Sequence, residues 1–108
     1  MIVVTSSLIA GKKIVKTLGL VKGNTIRARA VGRDITAALK QLVGGEIEEY
    51  TKLMAEAREQ ALDRMIANAL EMEANAITDI RFATSEVMNN AAEIVVYGTA
   101  IVVEDLEE

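Results

Sequence analysis

Arg27, Arg29 and Arg33 are the residues whose type and spacing most invite chemistry in this chain. From Ile26 to Ala30 apolar and basic residues alternate, so an extended strand would place Arg27 and Arg29 on one face and Ile26, Ala28 and Ala30 on the other. Arg33 follows at the start of a helical pattern. Guanidinium groups are planar, permanently charged and able to grip a carboxylate or phosphate with two parallel bonds. These three arginines are therefore the candidate ligand-binding residues, for a small anion or an acidic ligand. Salt bridges to glutamates of the long helix further along the chain, in the same or the next subunit, would use the same charges differently. The sequence alone admits both.

The other reactive types point away from catalysis. Histidine and cysteine are both absent, which removes the usual general base near neutral pH and the preferred ligands of thiophilic metals. Ser6, Ser7 and Ser85 have no histidine to activate them, and a Ser-Lys pair with Lys12 or Lys13 would rest on proximity along the chain alone. Gly44-Gly45 before a helix start resembles a phosphate cradle, but Glu46, Glu48 and Glu49 in the first turn would repel an anion, so a hinge is the expected role. Met54, Met65 and Met72 fall on one helical stripe and read as core packing. No catalytic residue, metal ligand or cofactor is assigned, and the balance is against an enzyme.

The elements that must position these residues belong to a small chain. At 108 residues it fits one domain, 1–108. Its apolar content is 51%, yet Tyr50, Phe82 and Tyr97 are its only aromatic residues. A core of small aliphatic pieces in so short a chain, with no disulfide to help, suggests that apolar surface is shared between copies. No stretch approaches the roughly 20 apolar residues of a membrane helix, and Thr5, Ser6 and Ser7 interrupt the opening apolar run too early for a secretory signal. A cytoplasmic location without a membrane partner is expected. The net charge of -4 also argues against nucleic acid. The charge is unevenly spread: residues 1–45 carry eight Lys and Arg against Asp34, a net +7, and residues 46–108 carry four against fifteen acids, a net -11. Such halves can attract within a subunit or between neighbours.

Along the chain, the opening residues read as a short strand and a polar turn. Ile14 to Val21 reads as a strand, Lys22-Gly23-Asn24 as a turn and Ile26 to Ala30 as its hairpin partner. A helix is expected over Arg33 to Val43, and a much longer one from about Glu46 to Ala74. Ile47, Tyr50, Met54, Ala57, Ala61, Met65, Ala69 and Met72 form the stripe of that long helix, with Leu53, Leu62, Ile66 and Leu70 widening it. It would span about 43 Å, more than the roughly 34 Å of a compact globule of this length. Two strands follow, Ala76 to Thr84 and Glu93 to Val103. In the second, Ile94, Val96, Ala100 and Val102 oppose Val95, Tyr97, Ile101 and Val103, so both faces are apolar and one is expected to meet another protein layer.

The segments GNTIRARAVGRDI, LVGGEIEEYTKLMAEAREQALDRMIANA, ANAI and YGTAIVVE together resemble the YbjQ-like family, whose domains carry a conjectural heavy-metal-binding label. The likeness spans nearly the whole chain. Its most specific parts are the Arg33-Asp34 step, the spacing from Gly44-Gly45-Glu46 to Tyr50, and ANAI before the last hairpin. It implies an α+β fold: a β-α-β-β core with a long helix packed on a three-stranded antiparallel sheet, assembled as a ring-shaped homopentamer with extra short strands at the subunit contacts. Where this family often has glycine the chain has Glu73, so Asn75 is expected to take over the helix cap.

Overall fold

The computed structural model describes residues 1–28, 45–88 and 91–107. In chain order the elements are β1 (Ile2–Val3), β2 (Lys12–Ala28), α1 (Gly45–Glu71), β3 (Ala76–Met88) and β4 (Ala91–Asp105). The helix expected over residues 33–43 lies outside the described residues. The strands form one mixed sheet in the order β1-β3-β4-β2, with β1 parallel to β3 and the other pairs antiparallel. The architecture is α+β as expected, but the sheet has four strands instead of three. The added strand is the short opening run, whose Ile2 and Val3 pair with Ala76 and Ile77 of the same chain.

A second correction concerns Lys22, Gly23 and Asn24, expected to turn the chain. They lie inside β2, which runs unbroken from the first expected strand into the second, as far as Ala28, and pairs along its whole length with β4. Gly23 is there to admit the helix. A β-carbon on it would come within 2.9 Å of the Met65 Cα and closer still to the Ala61 carbonyl oxygen and the Met65 nitrogen. Ala57, Ala61, Met65 and Ala69, spaced by four residues, are fully buried against the sheet, and three alanines in that row let the helix backbone approach. Val21, Ile77, Ile80, Ile94, Val96 and Ala100 complete the core from the strands. Leu70, expected to widen the stripe, is instead exposed.

Two helix side chains tie the layers together at β2. Arg64 Nη1 donates to the Asn24 carbonyl at 2.8 Å and Asn68 Nδ2 to the Lys22 carbonyl at 2.8 Å. Carbonyls two residues apart lie on the same edge of a strand, so these bonds cover part of an edge strand that would otherwise invite pairing.

The helix does not outrun its domain, because the domain is itself long. The 27 residues of α1 span about 40 Å, while the 15 residues of β4 reach about 50 Å, and the Cα envelope measures 59 × 24 × 16 Å. Exposed apolar side chains are found on the sheet, at Leu20 and Ile26, as well as at Leu70 near the helix end.

The helix closes on Glu73, not Asn75. Glu73 takes the left-handed conformation at φ 68°. Its N–H donates to the Leu70 carbonyl at 3.0 Å and the Ala74 N–H to Ala69 at 3.0 Å, the paired bonds of a Schellman cap. Asn75 is used across the sheet instead. Its side-chain nitrogen donates to the Val103 carbonyl at 2.9 Å and its oxygen accepts from the Val103 N–H at 2.8 Å, extending the β4 ladder through an amide side chain.

Candidate functional site

Arg27 stands one residue before the end of β2, opposite Ala92 of β4. Its side chain, and the whole of Arg29 and Arg33, lie outside the described residues. What the fold does supply is the strand that leads to them. β2 carries Lys12, Lys13, Lys16, Lys22 and Arg27 and no acidic residue, so much of the basic half of the sequence is laid out on one edge strand.

The densest polar constellation lies where the opening segment crosses the start of β3. Ser7 donates its hydroxyl to Asp79 Oδ1 at 2.6 Å, and the Asp79 N–H donates to the Ser6 carbonyl at 3.1 Å. Arg81 Nη1 donates to the carbonyls of Thr5, at 3.1 Å, and Ile80, at 2.8 Å. Asp79 sits in the register shift between Thr78 and Arg81 with φ 56°, a left-handed conformation that Asp tolerates better than most residues. Hydrogen bonds from Ser7 and Thr78, helped by the Arg81 charge and opposed by partial burial, hold the Asp79 carboxyl below its ordinary range.

A carboxylate stabilised in its charged form is a weaker base, and the chain holds no histidine to relay a proton from Ser7. The Ser7–Asp79 bond clasps the opening segment to β3. Ser6 donates to the Leu8 carbonyl at 2.7 Å, while Lys12 forms an ion pair with Asp105, whose carboxyl is held low by that hydrogen bond and charge. Sequence reasoning missed this cluster, although Asp79 inside the expected strand Ala76 to Thr84 was a signal, since Asp is depleted in strands.

On the sheet face away from α1, residues alternate as the β4 sequence indicates. At one end Ala76, Ile101 and Val103 are buried under Ile2 and Ile9 of the chain's own opening segment. Further along, among the described residues, that cover stops. Leu20 and Ile26 of β2 and Tyr97 of β4 point from this face with 69%, 58% and 39% of their surface exposed. The expected second protein layer is thus supplied in part from within the chain, by Ile2 and Ile9.

Metal-ligating types are scattered. Met65 is fully buried, and Met54 and Met72 pack against the same core. Among the described residues no three acidic side chains gather where they could hold a cation. No helix among them is long and apolar enough to cross a membrane.

Comparison with known proteins places this architecture. A family model described as "Putative heavy-metal-binding" matches residues 1–104. The chain is 59% identical over 104 residues to a UPF0145 protein of Dehalococcoides mccartyi strain BAV1, covering 96% of this chain and all of that one. It is 52% identical over 101 residues to a UPF0145 protein of Methanosarcina acetivorans, covering 94% and 95% of the two chains. Identity to a UPF0145 protein of Pyrococcus horikoshii is 53% over 107 residues, covering 99% and 92%. Among solved structures, a DUF74-family protein of unknown function from Pediococcus pentosaceus superposes with a TM-score of 0.65 at 18% identity, covering 96% and 98% of the two chains. That last likeness is one of fold.

Proposed function

The chain belongs to the UPF0145 family, and on that premise we propose that it is a non-enzymatic, self-assembling domain that joins copies of itself through the uncovered part of its sheet. The observation that carries this reading is the exposure of Leu20, Ile26 and Tyr97 on one face of a two-layer molecule. Wet apolar surface costs about 25 cal/mol per Å², and single soluble domains seldom leave a large contiguous patch open. A second copy is the occupant that suits the charge of this face, since Lys22 lies between Leu20 and Ile26 on β2, opposite Tyr97, and Glu93 of β4 stands opposite Ile26, offering both signs for self-complementary pairing. The stoichiometry proposed is five copies in a ring, the assembly implied by the resemblance of the sequence segments. Light scattering and native mass spectrometry test it: a stable monomer at micromolar concentration defeats the assembly reading, and a dimer or hexamer defeats the ring of five.

A second, compatible reading is small-anion binding at Arg27, Arg29 and Arg33. It is favoured by the acid-free β2 strand that runs into them, because a ring would repeat each positive charge around its axis and concentrate what one subunit spreads out. Titration with phosphate and sulfate tests it directly, and no binding by the assembled protein at low salt counts against it.

A further inference from the structure

We infer that this chain holds no tight site for Cd²⁺, Hg²⁺, Cu⁺ or Zn²⁺, so that the metal in its family's description is not a ligand of this protein. These ions favour thiolate and imidazole donors, and the sequence contains no cysteine and no histidine. The donors left are five methionines and the carboxylates.

The three thioethers of the helix cannot converge on one ion within a subunit. Met54, Met65 and Met72 share α1 at separations of eleven and seven residues, about 16 and 10 Å along the axis. Two sulfurs on one ion, each bonded at about 2.3 Å, lie at most about 4.6 Å apart. Met65 is fully buried among Ala57, Ala61 and Ala69, and Met54 and Met72 pack on the same core, so their sulfurs serve as adaptable filling. Met1 precedes β1, which pairs with the start of β3, and Met88 ends β3, about 40 Å further along the strand.

The carboxylates are no better placed. Among the described residues none form a group of three or more around a common point. Asp79 is engaged by Ser7 and Asp105 by Lys12, contacts that a metal would have to displace. Oxygen donors alone also suit hard ions better than these soft ones.

Because assembly could bring one side chain per copy to a symmetry axis, the test uses the full chain at a concentration where light scattering has fixed its oligomeric state. Calorimetry with Cd²⁺ and Zn²⁺, anaerobic titration with Cu⁺ and native mass spectrometry after gel filtration are run beside the variant Met54→Leu/Met72→Leu. The expected result is weak, non-saturating association, unchanged in the variant, with no ion retained on the column. A submicromolar site at any whole-number stoichiometry, including one ion per assembly, overturns the inference. Loss of that site in the variant would assign it to the Met54 and Met72 thioethers, and its persistence would leave it to carboxylates or to the other methionines.

Discussion

Gly23 of β2 lies so close beneath Ala61 of α1 that the strand has room there for a hydrogen but not for a methyl group. The obstruction is helix backbone, which cannot rotate aside as a side chain can. Gly23→Ala must therefore lift the helix from the sheet, and it is expected to destabilise the protein by at least about 3 kcal/mol. Denaturant unfolding should rank it well below Gly98→Ala, whose added carbon meets the Ile77 and Ile80 side chains at 2.8 and 3.1 Å and the Thr78 carbonyl oxygen at 2.8 Å. Equal effects at the two glycines would show that the helix approach is not the tight point.

Glu73 caps the helix in a conformation that glycine adopts without a β-carbon penalty. Glu73→Gly should raise stability by about 0.5–1 kcal/mol despite the greater freedom of glycine in the unfolded chain. A lower thermal midpoint for the variant would contradict the Schellman assignment.

Thr25 is buried on the helix side of β2, and its hydroxyl has no hydrogen-bond partner among the described residues. Replacing it with valine keeps the shape and removes an unsatisfied polar group, so Thr25→Val should stabilise by about 1 kcal/mol. A loss of stability would mean that the hydroxyl is satisfied in solution.

The clasp at Asp79 gives a pH dependence with a definite sign. Its carboxyl titrates lower in the folded protein than in the unfolded chain, so its contribution is complete above the ordinary carboxylate value of about 4 and is lost as pH falls through the folded value. Asp79→Asn keeps a residue that tolerates the left-handed backbone and removes the charge. The variant should be less stable than the parent at pH 7, and the gap should close on acidification toward pH 3 in parallel denaturant titrations. A gap that widens at low pH would reverse the assigned sign.

Charge placed on the open sheet face should separate assembly from binding. Leu20→Asp is expected to dissociate the oligomer, while Arg29→Glu should leave it intact and abolish phosphate binding. Chromatography with light scattering, beside a phosphate titration of each protein, reads both effects. Dissociation by Arg29→Glu and not by Leu20→Asp would move the interface to the arginines and give them the salt-bridging role.

Local pattern was enough to reveal the long helix, its alanine and methionine stripe, the final hairpin and the two-faced character of β4, because apolar periodicity records which side of an element is turned from water. Absence was equally legible: with neither thiol nor imidazole in the chain, whole classes of chemistry could be set aside before any fold was known. Gly23 and Glu73 were misread from sequence because a glycine that admits a neighbouring helix looks the same as one that turns the chain, and a strained cap looks like an ordinary acidic residue. Only the tertiary structure could distinguish them, since each is defined by contacts far away or by backbone geometry. Pairing of Ile2 and Val3 with β3, the grip of Ser7 on Asp79 and the covering of Ile101 and Val103 by Ile2 and Ile9 all join residues some seventy or more positions apart or nearly a hundred. Sequence periodicity reports which face of an element is apolar; which partner covers that face, and where the cover ends, is decided by the packing of the whole chain.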